Sequence, residues 1–138
     1  MPVTSQDRQR ELCETYAPIE DRQERLAIIV DGARHRPKGS AGDRRDQDLV
    51  AGCQSRVWLT ATCQSGLCHF YADGDSPLVN GLVALLCDAY QECAAADVVA
   101  TEPAVLTELG LLRDLSPTRQ NGLAAVRARI KSLAASFA

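Results

Sequence analysis

Arg56-Val57-Trp58-Leu59-Thr60-Ala61-Thr62-Cys63-Gln64-Ser65-Gly66-Leu67-Cys68-His69-Phe70-Tyr71 is the stretch that decides the fold. Val57, Leu59, Ala61 and Cys63 alternate with Arg56, Trp58, Thr60 and Thr62, which is the period of a strand. Gln64-Ser65-Gly66 supplies a turn, and Leu67 to Tyr71 returns as a second strand. The pattern predicts an antiparallel hairpin. A third strand is open to the segment before Cys53. Asp73-Gly74-Asp75 ends the sheet.

Helical patterns lie on both sides of the hairpin. Thr4 to Tyr16 reads as a short polar helix with Leu12 and Tyr16 on one face. Pro18 suits a first helical turn, and Leu26, Ile29, Val30 and Ala33 recur at helical spacing to about Arg34. His35 to Asp48 reads as a loop rich in charge, with Pro37, Gly39 and Gly42; its length hints at a functional or mobile segment. After the hairpin, Ser76 is a natural N-cap and Pro77 a natural first helical residue. The apolar positions from Leu78 to Tyr90 cover most of a helix circumference, which predicts a buried central helix. Ala94–Ala100 and Pro103–Leu109 read as two short helices. Ser116-Pro117 repeats the cap, and Leu123, Val126, Ile130, Leu133 and Phe137 form one stripe. Arg127, Arg129 and Lys131 lie off that stripe, on what reads as a solvated face. The sum is one α+β domain over residues 1–138, a small antiparallel sheet packed against several helices.

The chain has 138 residues, enough for one domain with its own core. Hydrophobic residues make up 46% and charged residues 24%, an ordinary globular balance. A net charge of −3 argues against broad binding to nucleic acid. No apolar run approaches the roughly 20 residues of a membrane span, and Met1 to Glu14 is polar, unlike a secretory signal. A cytoplasmic protein is therefore expected, and its 6 cysteines are expected to be reduced. Cys13, Cys87 and Cys93 lie in helix-like stretches and read as small packed hydrophobes.

Upstream of the hairpin, Val50-Ala51-Gly52-Cys53-Gln54-Ser55 leads into the first strand. Gly52 allows a sharp turn just before the thiol, and a cysteine in such a loop is placed for chemistry. Gly52-Cys53-Gln54-Ser55-Arg56-Val57-Trp58 also resembles the signature Gly-Cys-Gln-Ser-x-Val-Trp of the SufE family, sulfur acceptors that work with cysteine desulfurases. Gly74-Asp75-Ser76-Pro77-Leu78-Val79-Asn80-Gly81-Leu82 and Leu115-Ser116-Pro117-Thr118-Arg119-Gln120-Asn121-Gly122-Leu123 are similar to two further blocks of that family, in the same order. The resemblance runs from about Ile19 to the C-terminus; residues 1–17 match poorly. It implies a SufE/IscU-like fold. It implies that Cys53 takes persulfide sulfur from a SufS- or CsdA-like cysteine desulfurase, stimulates that enzyme, and delivers sulfur to an iron–sulfur scaffold complex. The chain would be a transfer partner and activator rather than a stand-alone enzyme. It would carry no cofactor, since pyridoxal phosphate belongs to the desulfurase.

Each candidate has a plainer reading beside it. Cys53 is either the acceptor or a buried structural thiol. Arg119 matches the arginine of the family block and is either a cation that stabilises the Cys53 thiolate or a surface arginine. Asp75 either shapes the loop near the thiol or serves a turn and helix start. Gln54 and Ser55 would position Cys53 or meet the partner, and Trp58 reads as packing on the sheet. Cys63 and Cys68 flank the hairpin turn. They are open to a redox disulfide, to a metal site with His69, or to no chemistry at all. The spacing Cys-x4-Cys-His departs from the usual zinc pattern, so the last reading leads.

Three rival readings stand against a SufE-type acceptor. An IscU-type scaffold would need several metal ligands, including one late in the chain, yet no Cys or His follows Cys93. A SufE-like carrier feeding another pathway, such as tRNA modification, shares all the quoted residues. A pure interaction module would have lost the cysteine. The segment His35-Arg36-Pro37-Lys38-Gly39-Ser40 departs from the family's Leu-Pro-x-Leu-Pro-like stretch and bears on partner choice.

Overall fold

The computed structural model describes residues 3–138. Two helices lead the chain, α1 (Ser5–Tyr16) and α2 (Arg22–Ala33). Strands β1 (Val57–Gln64) and β2 (Leu67–Gly74) follow, then α3 (Pro77–Asp88) and the short strand β3 (Cys93–Ala94). Helices α4 (Ala95–Ala100), α5 (Val105–Glu108) and α6 (Pro117–Ala135) complete it. The sheet is antiparallel with strand order β1-β2-β3. This is the α+β layering expected from the hairpin and its flanking helices.

Ser65 and Gly66 form the two-residue turn, with φ of 54° and 78°. Positive φ at both central positions is what a type I′ hairpin requires. The turn fixes the register from Gln64↔Leu67 to Val57↔Gly74, so β2 runs three residues beyond Tyr71. One face of the hairpin, carrying Val57, Leu59 and Phe70, packs into the core under α3 and α6.

The third strand differs from expectation. It comes from Cys93–Ala94 and pairs with β2 through Leu67↔Ala94 and Cys68↔Cys93. The segment before Cys53 makes only an isolated bridge, Leu49↔Trp58, beside the Val50 N–H···O=C Val57 bond of 2.8 Å. Cys93 is therefore a strand residue, not a helical one. A left-handed Glu92 (φ 60°) turns the chain out of α3 and back to the sheet edge.

Both predicted caps form: the hydroxyls of Ser76 and Ser116 accept from the N–H groups of Val79 and Arg119. For α2 the cap is Asp21, whose carboxylate accepts from Gln23 and Glu24 N–H, and Pro18 stays in the connection. Arg25 organises that connection by donating to the carbonyls of Tyr16, Ile19 and Leu109. Helix α1 docks through polar groups: Ser5 Oγ donates to the Ala89 carbonyl, while the Gln9 amide donates to the Glu102 carbonyl and accepts from Val105 N–H.

His35 to Asp48 contains two 3₁₀ segments, Gly39–Asp43 and Asp46–Asp48, strapped across the outer face of the sheet. The strap is held by buried Asp73, which accepts from Arg44 Nε (2.8 Å) and pairs with Lys38 (3.3 Å). Burial pushes the Asp73 carboxyl up, but the hydrogen bonds from Arg44 and Lys38 outweigh it and hold it below its ordinary value. Arg44 also stacks on Trp58, 4.6 Å from the ring centre.

Arg127 departs from the expected solvated face, on which Lys131 is exposed. Arg127 is 8% exposed and donates to the carbonyls of Val98 and Thr101, with its guanidinium 4.7 Å from the Tyr90 ring centre. Helix α4 has no basic residue in its own last turn, and Arg127 reaches in from α6 to take the carbonyls there.

Helices α2 and α3 cross where Gly81 meets Val30. A Cβ on Gly81 would stand 2.8 Å from Val30 Cγ2 and 2.9 Å from Val30 Cα. The backbone contact leaves no side-chain escape. Gly81→Ala is expected to lower stability by about 1–3 kcal/mol despite its better helix propensity, read as a lower urea midpoint with unchanged slope. Arg127→Ala, which orphans buried carbonyls, is expected to cost about 3 kcal/mol, with Arg127→Lys recovering only part in the same titration.

Candidate functional site

Cys53 sits in the loop between the 3₁₀ strap and β1. Gly52 takes a φ of 91°, a conformation that disfavours a side chain. A Cβ there would also come within 3.3 Å of Ala125 Cβ on α6, so the glycine serves both turn and close approach. The loop is tied down behind the thiol. Arg56 N–H donates to Asp75 Oδ1 and Asp75 N–H donates to the Arg56 carbonyl, both at 3.1 Å. This pairing continues the β1–β2 ladder one step past Val57↔Gly74. Asp75 thus acts on the loop through Arg56 and does not line the cavity beside the thiol.

That cavity has a volume of about 110 Å³. Its walls are the loop residues Cys53, Gln54 and Ser55, the first turns of α3 through Val79 and Leu82, and α6 through Thr118, Arg119 and Gly122. The structure therefore brings together Cys53, Gln54, Ser55 and Arg119 from distant blocks of sequence. Gly52 and Asp75 stand outside the walls and set the loop's shape.

The thiol is half-buried. Its Sγ donates to the Gly122 carbonyl at 3.3 Å. Burial pushes the Cys53 thiol above its ordinary value, because a thiolate loses more than a thiol when water is removed. Donation to a carbonyl likewise favours the protonated form. At rest the sulfur is a sheltered thiol with a small apolar-sided space next to it.

Sequence reading missed Gly122 as a working part of the site. Its carbonyl receives the thiol, and a Cβ on it would lie 3.7 Å from Cys53 Sγ, in the space beside the sulfur. The signal was present: a glycine inside a helix costs roughly 1 kcal/mol relative to alanine and usually marks a close approach. Nothing in one sequence says what approaches.

The other thiols are placed differently. Cys87 is buried and its thiol is raised by burial, with Asp88 adding to it. Cys13 donates to Glu108 at 3.1 Å, and burial followed by that hydrogen bond pushes it up to about 11. All six cysteines are free. Among the described residues no three of His, Cys, Asp and Glu gather as they would to hold a metal. No helix among them is long and apolar enough to cross a membrane.

Known proteins resemble this chain over most of its length. The family model for SufE, the Fe-S metabolism associated domain, matches residues 10–134. The sulfur acceptor protein CsdE of Escherichia coli is 32% identical over 114 residues, which cover 81% of this chain and 78% of that protein. An uncharacterized SufE-like protein of Rhizobium etli is 28% identical over 127 residues, 88% of this chain and 85% of its own. The solution structure of a hypothetical protein from Thermus thermophilus superposes with a TM-score of 0.77 at 19% identity, over 94% of this chain and 95% of that one. The last match speaks for the fold; with the family match over most of the length, it follows that this chain belongs to the SufE family.

Proposed function

We propose that the protein is a sulfur acceptor that receives persulfide sulfur on Cys53 from a cysteine desulfurase, stimulates that enzyme, and passes the sulfur on for iron–sulfur cluster assembly. The observation that carries the reading is the half-buried Cys53 thiol on a glycine-turned loop, beside a cavity of about 110 Å³ between the starts of α3 and α6. Membership of the SufE family and likeness to a protein named as a sulfur acceptor support it.

The transfer balances as a thiol–disulfide exchange. The Cys53 thiolate attacks the terminal sulfur of the partner's persulfide, a new S–S bond forms on Cys53, and the partner's thiolate leaves. No net oxidation occurs. The added sulfur is a reversible cap, and the cavity walls, with Val79 and Leu82 on one side, offer it shelter from small reductants. Discharge requires the loop to present the sulfur again. Arg119 lines the same wall and is exposed; turned onto the sulfur, its guanidinium would favour the anionic persulfide. The pyridoxal phosphate of the overall reaction resides on the desulfurase.

Incubation with a group II cysteine desulfurase and cysteine, without reductant, is expected to add one sulfur mass to the wild type. Dithiothreitol removes it, and Cys53→Ser gains none and leaves alanine production at the rate of the desulfurase alone. Sulfur uptake or full stimulation by Cys53→Ser would overturn the proposal. The raised Cys53 thiol adds a pH dependence. Burial holds its pKa above the ordinary thiol value, so alkylation of Cys53 in the free protein by iodoacetamide should still be climbing with pH through 8, where thiolate remains the minority form. A plateau below pH 8 would contradict the burial argument.

A further inference from the structure

A second thiol centre lies at the far end of the hairpin. Cys63 and Cys68 are direct cross-strand partners, one step from the closing pair Gln64↔Leu67. The closing pair of a two-residue turn exchanges its backbone hydrogen bonds, so the next pair is of the non-hydrogen-bonded kind, with Cα atoms about 4.5 Å apart and both side chains on one face. That separation falls inside the roughly 4.4–6.8 Å over which a disulfide closes without moving backbone. The two thiols differ in access: Cys63 is exposed and Cys68 is 0% exposed. Burial raises the Cys68 thiol and the neighbouring Cys63 adds to it. Beyond Cys68, in the other ladder, lies Cys93, also buried and pushed up to about 12, chiefly by burial.

We propose that Cys63 and Cys68 form an oxidisable dithiol that reacts with low-molecular-weight disulfides of the glutathione class and closes to a cross-strand disulfide. Exposure assigns the order. The Cys63 thiolate attacks one sulfur of the small disulfide, forms a mixed disulfide and releases the first small thiol. The Cys68 thiolate then attacks Cys63 Sγ, the bond to the small thiol breaks, and the second small thiol leaves with its electron pair. The dithiol loses two electrons and two protons, and the small disulfide gains both. Cys68 cannot meet the reagent itself, and Cys63 has its resolving partner already opposite. The centre is separate from Cys53. Val57 adjoins the candidate site, and six strand steps from there to Cys63 span about 20 Å.

The test uses the full chain carrying Cys53→Ser, which keeps the sulfur-acceptor reading out of the result. After exposure to glutathione disulfide, intact mass is expected to fall by two hydrogens, with a Cys63–Cys68 linkage in the peptide map. Cys63→Ser in the same background should abolish the change. Cys68→Ser should arrest the reaction as a stable glutathione adduct on Cys63. A lasting adduct on Cys63 with Cys68 intact, a Cys68–Cys93 linkage, or no reaction at all would each overturn the proposal, and none depends on whether the buried Cys68 variant folds.

Discussion

The antiparallel register of β1 and β2 is the constraint on which the other features rest. It is set by a turn whose two central residues, Ser65 and Gly66, both hold positive φ. In a strand pair a slip of one residue sends every side chain to the opposite face. Here such a slip would turn Val57, Leu59 and Phe70 out of the core and bring Trp58 and Asp73 in. It would also break the Arg56–Asp75 pairing that holds the root of the Cys53 loop. The same register sets Cys63 against Cys68. One local choice of turn thus reaches both ends of the hairpin.

Charge is used inside the molecule as structure. Asp73 on β2 is buried, and the cations that satisfy it come from the strap, so the outer face of the sheet is closed by ion pairs together with packing on Trp58 and Tyr71. Arg127 does the same on the other side, with its guanidinium among the carbonyls that end α4. Breaking such buried groups costs more than making them contributes, because a lost partner leaves a desolvated charge or carbonyl behind. These positions tie the strap to the sheet and α4 to α6.

The six cysteines sort by environment. Cys87 and Cys93 are buried and act as packing. Cys13 is tied to a carboxylate, which opposes ionisation. Cys53 alone combines partial exposure, a flanking cavity and a loop root fixed by hydrogen bonds. Its thiol is held in the protonated form at rest by burial, so under the proposed function its reactivity would wait on a change around the loop. That behaviour suits a carrier, which should react with its partner and not with every electrophile in solution.

The local elements were legible because they rest on local rules. Alternation with Ser65-Gly66 determined the hairpin, Ser-Pro pairs determined the starts of α3 and α6, and Gly52 before Cys53 marked the loop. Three blocks in order told the family without telling how they meet. What only the tertiary structure decided is which distant groups share a space. Cys93 became the third strand because the left-handed Glu92 sends the chain back to the edge of β2. Arg127 went inside because α4, far away in sequence, presents it with open carbonyls. Gly122 became the thiol's acceptor because α6 packs against the loop. Periodicity and capping act over a few residues and can be read along the chain, whereas desolvation and long-range hydrogen bonding depend on neighbours that only folding supplies.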